Sequence, residues 1–218
     1  MPRLLYGGTF DPIHLGHLAI ADAVARAFGE PVDLVPAADP PHRSTPGASA
    51  WQRARMIELA IDGNPRLRLD RRELLREGRS YTVDTLRELR AQCGPELSLV
   101  WVLGEDALRQ LGSWRDWREL FALGHLLAVD RPPVGIASPV APDVAEELRS
   151  RQCEPRDLAR RPAGGFARLP LDRLRPESAS QVRERIARGG DWQALVPPAV
   201  AAFIREQALY GTGPGAGV

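Results

Sequence analysis

Apolar and polar positions along this chain fall into blocks whose period switches between that of a strand and that of a helix. Arg3–Tyr6 is a short apolar run that predicts a buried strand, ended by Gly7-Gly8. From about His14 to Phe28, Leu18, Ala21, Ala25 and Phe28 are spaced to share one helix face. Val32–Pro36 reads as the next strand, which completes the spacing of a strand–helix–strand unit. Asp39–Gly47, rich in proline and polar residues, reads as a loop. Trp51–Ile61 is helical, Leu67–Asp70 strand-like and Thr82–Gln92 helical again. Leu97–Leu103 is apolar nearly throughout, the mark of a central strand buried on both faces, and Gly104 stops it.

The second half continues the alternation. Glu105–Leu111 and Asp116–Leu123 read as helices, His125–Asp130 as a strand, Val140–Arg151 as a helix and Phe166–Leu171 as a last strand. Ser178–Arg188 is an amphipathic helix with a capping-box pattern from Ser178 to Gln181 and Gly189-Gly190 at its end. Pro197–Leu209 is a final helix with proline at its start. Gly211–Val218 is glycine-rich and predicts a disordered tail. No internal repeat is visible. The pattern predicts an α/β fold: a Rossmann-like, doubly wound, mostly parallel sheet with helices on both faces. It forms one domain over residues 1–210, of which 178–210 is a C-terminal helical part. Ligands in such sheets bind beyond the carboxyl ends of the strands. That rule directs attention to Gly7–His17, Pro36–Arg43, Gly104–Asp106 and the start of the Ser178 helix.

Composition narrows the chemistry. A length of 218 residues suits one α/β domain with a substantial core. A net charge of +1 lacks the basic excess of a broad nucleic-acid-binding face. All 29 basic residues are arginine, so Schiff-base lysines and a P-loop lysine are excluded. Any phosphate site must therefore use arginine, histidine, backbone N–H groups and metal. Cys93 and Cys153 match neither a C-x-x-C pair nor a zinc cluster and read as reduced thiols. There is no signal-peptide pattern and no apolar run near the roughly 20 residues of a membrane span. The expectation is a soluble cytoplasmic protein with neither membrane nor nucleic acid as partner.

The most informative stretch is Gly7-Gly8-Thr9-Phe10-Asp11-Pro12-Ile13-His14-Leu15-Gly16-His17. Glycines after a strand let backbone approach a ligand, and the helix N-terminus that follows offers N–H groups to an anion. His14 and His17, three residues apart, share a face of the first turn, where two imidazoles could donate to phosphate oxygens. Each element alone has an ordinary explanation: a strand-ending turn, or a polar helix edge. Together, directly after the first strand, they point to phosphate binding.

This stretch resembles the nucleotide-binding signature of the nucleotidyltransferase superfamily, with His14-Leu15-Gly16-His17 as its H-x-G-H element. Pro40-Pro41-His42-Arg43, Ser80-Tyr81-Thr82, Gly104-Glu105-Asp106 and Ser113-Trp114 extend the resemblance to the bacterial nicotinate-nucleotide adenylyltransferases, from Leu4 to about Tyr210. The resemblance implies adenylyl transfer from ATP to nicotinate mononucleotide, giving deamido-NAD and pyrophosphate, with magnesium carried by the ATP phosphates and not by protein side chains. It implies that Gly8, Thr9, Phe10, His14, His17, His42, Arg43, Gly104, Ser178, Ser180 and Arg183 bind ATP, with His14, His17 and Arg183 catalytic. Residues 178–210 then complete the ATP site. The acceptor site is implied at Tyr81, Thr82, Val83, Asp106, Trp114 and Arg115, with the nicotinate carboxylate read by the backbone N–H groups of Val83 and Arg115. On the residues alone, Trp114 could instead be core beside Trp117, Asp106 a first-turn helix residue, and Ser178 only a cap. The chain departs from the family pattern at Glu177, usually apolar, and at Ala37 and Ala38, where asparagine often precedes the prolines. Nicotinamide mononucleotide as acceptor, use of both pyridine nucleotides, and a non-catalytic nucleotide sensor remain as alternatives, and self-association is left open. A class I aminoacyl-tRNA synthetase fragment, which shares a related histidine element, is disfavoured because its lysine loop cannot exist here.

Overall fold

Alternate residues of the first strand face opposite sides of a sheet, and both sides are covered. In a computed structural model, which describes residues 1–40, 47–130, 140–171 and 177–212, the strands are β1 (Arg3–Gly8), β2 (Val32–Pro36), β3 (Leu67–Leu69), β4 (Leu99–Gly104), β5 (His125–Asp130) and β6 (Phe166–Pro170). Their order is β3-β2-β1-β4-β5-β6, and every ladder among them is parallel. Chain order runs outward from β1 in one direction and from β4 in the other, so a topological switch point lies between these two neighbours.

The helices are α1 (Leu15–Phe28), α2 (Ala50–Ile61), α3 (Arg72–Leu75), α4 (Thr82–Cys93), α5 (Glu105–Arg109), α6 (Leu120–Leu123), α7 (Pro142–Ser150), α8 (Ala179–Ala187) and α9 (Pro198–Glu206). On one face Leu4, Val32, Val100 and Leu127 pack with Ile20, Met56, Val182 and Ile204, placing α1, α2, α8 and α9 together. On the other, Leu5, Trp101, Leu103 and Leu126 pack with Leu86, Leu108, Leu120 and Val144 from α4, α5, α6 and α7. Period-two strands feeding period-3.6 helices thus produce two cores separated by one sheet.

Four local differences from the sequence reading have physical reasons. Gly7 and Gly8 do not end β1; they pair with Val35 and Pro36, and Gly7 makes room for a neighbour. A Cβ there would come within 2.1 Å of the Trp101 ring. The short α3 was missed because four residues carry no period. Asp116–Leu123 is split into a 3-10 turn, Trp117–Glu119, and α6, after Asp116 adopts a left-handed φ of 50°. The ordered chain also passes Tyr210, since the Thr212 hydroxyl donates to Ile204 O and Leu209 O, each at 3.0 Å. Residues 213–218 of the predicted tail lie outside the described residues. Among the described residues no helix is long and apolar enough to cross a membrane.

Candidate active site

The bend leaving β1 is built on Phe10, whose φ of 52° is unusual for a bulky residue and costs on the order of 1–3 kcal/mol unless its surroundings fix it. They do. Its ring is buried, edge-on to Tyr6 at 5.5 Å between centroids and to His17 at 4.9 Å. Asp11, to which the sequence assigned no role, anchors the other side. Its carboxylate accepts from Gly47 N (2.9 Å), Ala48 N (3.2 Å) and the Tyr210 hydroxyl (2.7 Å). The end of the chain is thereby tied to the turn at its beginning, and burial beside Asp11 pushes the Tyr210 hydroxyl pKa far up.

His14 caps α1 and is buried, while His17 is half-buried, and their rings lie 3.7 Å apart with a 31° tilt. The His14 N–H donates to His17 Nδ1 at 3.4 Å. A neutral imidazole that accepts at Nδ1 carries its proton on Nε2, the form needed to donate to an oxyanion. Arg183 of α8 reaches this turn, donating from Nη1 to Asp11 O at 2.5 Å with the Asp11 carboxylate at 3.8 Å. Ser178 caps α8 by accepting from Gln181 N at 3.2 Å, as its pattern predicts. A hydroxyl that accepts this way keeps its own proton to donate. Ser180 is exposed on the first turn, and Glu177 beside them is buried. Gly104 ends β4 and leads into α5, and a Cβ there would meet nothing within 4 Å. His42 and Arg43 lie outside the described residues.

Beside this turn, beyond the carboxyl ends of β1, β2 and β4, lies a cleft open to solvent. Gly7, Gly8 and Thr9 border it, as do Tyr81, Thr82, Trp114 and Arg115 from the sequence-derived acceptor set. Trp114 is half-buried at the wall, and Trp117 is the core tryptophan. The Arg115 guanidinium lies over the Tyr81 ring at 4.9 Å and is held by Asp84 at 3.3 Å. Val83 has its side chain in the core, and its N–H belongs to the first turn of α4, where helix donors lack intrahelical acceptors. Asp106 is not among the lining residues. It is exposed on the first turn of α5 and pairs with Arg109 at 3.2 Å, while Ala107 and Gln110 face the cleft.

Three residues that sequence reasoning missed hold this region. Arg53, fully buried, donates to Thr9 O (2.6 Å), Ala38 O (3.1 Å) and Ala48 O (3.2 Å), and desolvation lowers its pKa. Glu73 lines the cleft as a buried carboxyl. Trp101 also lines it, and its buried Nε1–H has no acceptor among the described residues. An acceptor atom on a ligand would satisfy that donor. No periodicity or spacing marks any of the three.

The family model described as cytidylyltransferase-like matches residues 5–185, which places this parallel sheet and its histidine-bearing turn in the nucleotidyltransferase class. A probable nicotinate-nucleotide adenylyltransferase of Stenotrophomonas maltophilia is 48% identical over 214 residues, covering 95% of this chain and 96% of that one. One from Xylella fastidiosa is 44% identical over 217 residues, covering 97% and 98%. The chain belongs to the nicotinate-nucleotide adenylyltransferase family. Its fold is also that of Plasmodium falciparum nicotinic acid mononucleotide adenylyltransferase complexed with NaAD, with a TM-score of 0.74 at 16% identity, covering 98% of this chain and 99% of that one.

Proposed function

We propose that this enzyme transfers the AMP portion of ATP to the 5′-phosphate of nicotinate mononucleotide in the cytoplasm, forming deamido-NAD for NAD biosynthesis. The observation that carries the reading is that the histidine-bearing turn after β1 borders an aromatic-walled cleft. One feature suits a polyphosphate and the other a flat ring, so two substrates would meet between them. The backbone of Gly8, Thr9 and Phe10, with His14, His17, Gly104, Ser178, Ser180 and Arg183, receives ATP, and His42 and Arg43, which lie outside the described residues, are proposed as further ATP-binding groups. The contact of Arg183 with Asp11 supports a role for residues 178–210 in completing this site. Tyr81, Thr82, Val83, Trp114 and Arg115 receive the acceptor, its ring on Trp114 and its carboxylate at the N–H groups of Val83 and Arg115. Asp106, exposed and paired through Oδ1 with Arg109, keeps its second oxygen available to a ribose hydroxyl.

An oxygen of the acceptor phosphate forms a bond to the α-phosphorus of ATP while the bond from that phosphorus to the bridging oxygen breaks, and pyrophosphate departs. The attacking phosphate is itself the nucleophile, so the protein acts by positioning and by stabilising charge. His17 donates from Nε2 to an oxygen gaining charge, and Arg183 offsets charge at the leaving group. The Asp11 oxygens already accept from Tyr210, Gly47 and Ala48, which engages this carboxylate in holding the turn together. A divalent cation such as magnesium, when bound, would be held by the oxygens of ATP and would neutralise part of their charge. Pyrophosphate release from MgATP, assayed with nicotinate and nicotinamide mononucleotides in parallel, is expected with the acid and much slower with the amide. Equal rates would overturn the acid preference, and silence with both would leave a nucleotide sensor.

A further inference from the structure

Glu73 is 5% exposed, yet it forms part of the cleft wall beside Ser80, Tyr81 and Thr82. Its Oε1 accepts from the Thr85 hydroxyl at 2.6 Å, and the Ser80 hydroxyl donates to the same carboxyl. Ser80 Oγ in turn accepts from Ala38 N at 2.8 Å, so the carboxyl is braced against both α4 and the segment after β2. A fixed carboxyl at the entry to α4 therefore stands where the proposed acceptor's ring substituent would be read.

Building on the acceptor assignment above, we propose that Glu73 helps choose between acid and amide acceptors: uncharged, it donates its proton in a hydrogen bond to the nicotinate carboxylate, and ionised, it repels that carboxylate and accepts from a carboxamide N–H. The charged and titratable groups around it are Arg76 at the end of α3, Asp70 after β3 and Arg115 across the cleft, with Thr85 and Ser80 as neutral donors. Burial outweighs the two hydroxyl donors and Arg76, and it lifts the Glu73 pKa above the ordinary carboxylate value. The sign follows. Preference for the acid acceptor is greatest at low pH and declines as pH rises through the Glu73 pKa.

The test is the ratio of kcat/KM for nicotinate mononucleotide to that for nicotinamide mononucleotide, measured across the whole pH range in which the enzyme stays folded. Both acceptors carry the same 5′-phosphate, so its titration and that of groups acting on both cancel in the ratio. The ratio is expected to fall about 10-fold or more across this range in the native enzyme. In Glu73→Gln, which keeps a donor but has no charge, the ratio should be flat. A flat ratio in the native enzyme, or an unchanged slope in Glu73→Gln, would overturn the proposal. The native profile alone decides if the variant does not fold. Absence of turnover with either acceptor would instead sink the underlying assignment of the site.

Discussion

A His17→Ala enzyme is expected to fold and bind both substrates but to turn over about 10²–10³-fold more slowly, the usual cost of losing one preorganised donor at a developing oxyanion. The ring is held on two sides, by Phe10 at 4.9 Å and His14 at 3.7 Å, and its tautomer is set by the His14 N–H. Such a donor needs no reorganisation when charge develops, so the loss should fall mainly on kcat, with a smaller rise in KM for ATP from the lost contact to the bound phosphates. The substitution also removes the acceptor of the His14 N–H, a capping loss of about 1 kcal/mol that thermal denaturation would register separately. Steady-state kinetics on the folded variant decide the matter. Turnover near that of the native enzyme would remove His17 from the mechanism.

The second large effect is on stability. Arg53→Met keeps an unbranched apolar stem in the buried site while removing the guanidinium donors to Thr9 O, Ala38 O and Ala48 O. The bond to Ala48 O is buried and those to Thr9 O and Ala38 O part-buried, so the lost donors cost about 1–3 kcal/mol at the first and less at each of the others, and relief of a desolvated cation offsets part of the total. A net loss of about 3 kcal/mol is expected, which for a domain of this size lowers Tm by about 10 °C. Arg53→Lys should recover only part of it, because an ammonium cannot span three carbonyls as a planar fork does. Thr9 and Ala37 both border the cleft, so activity should fall along with stability. A shift in Tm of less than about 2 °C would show that Arg53 does not hold these segments together.

How far the molecule could be read from its sequence differs by level. The strand Leu99–Gly104 was legible because burial on two faces leaves a continuous apolar run, and Val32–Pro36 because it follows a helix at strand–helix–strand spacing. The helices of nine or more residues were legible from their period and their Ser, Pro and Gly signals. The histidine turn was legible from its own short motif, and the Tyr81–Thr82 and Trp114–Arg115 segments through family resemblance; the structure places both segments on the cleft wall, and the roles of all of them are proposals. Arg53, Glu73 and Trp101 were not, since their significance comes from partners distant in sequence. Arg53 is one arginine in 29, and only the fold brings Thr9, Ala38 and Ala48 to it. Asp106 illustrates the converse: its place in a recognised motif suggested a cleft residue, but the pitch of α5 turns it toward Arg109 and presents Ala107 and Gln110 instead.

The central claim is that the turn between β1 and α1 receives the phosphates of ATP. A crystal structure with a non-hydrolysable ATP analogue tests it most directly. The account predicts phosphate oxygens within hydrogen-bond distance of the Gly8–Phe10 backbone and of His17 Nε2, with Arg183 on the same polyphosphate. An analogue bound with its phosphates away from this turn, and with His14 and His17 making no contact to it, would contradict the account.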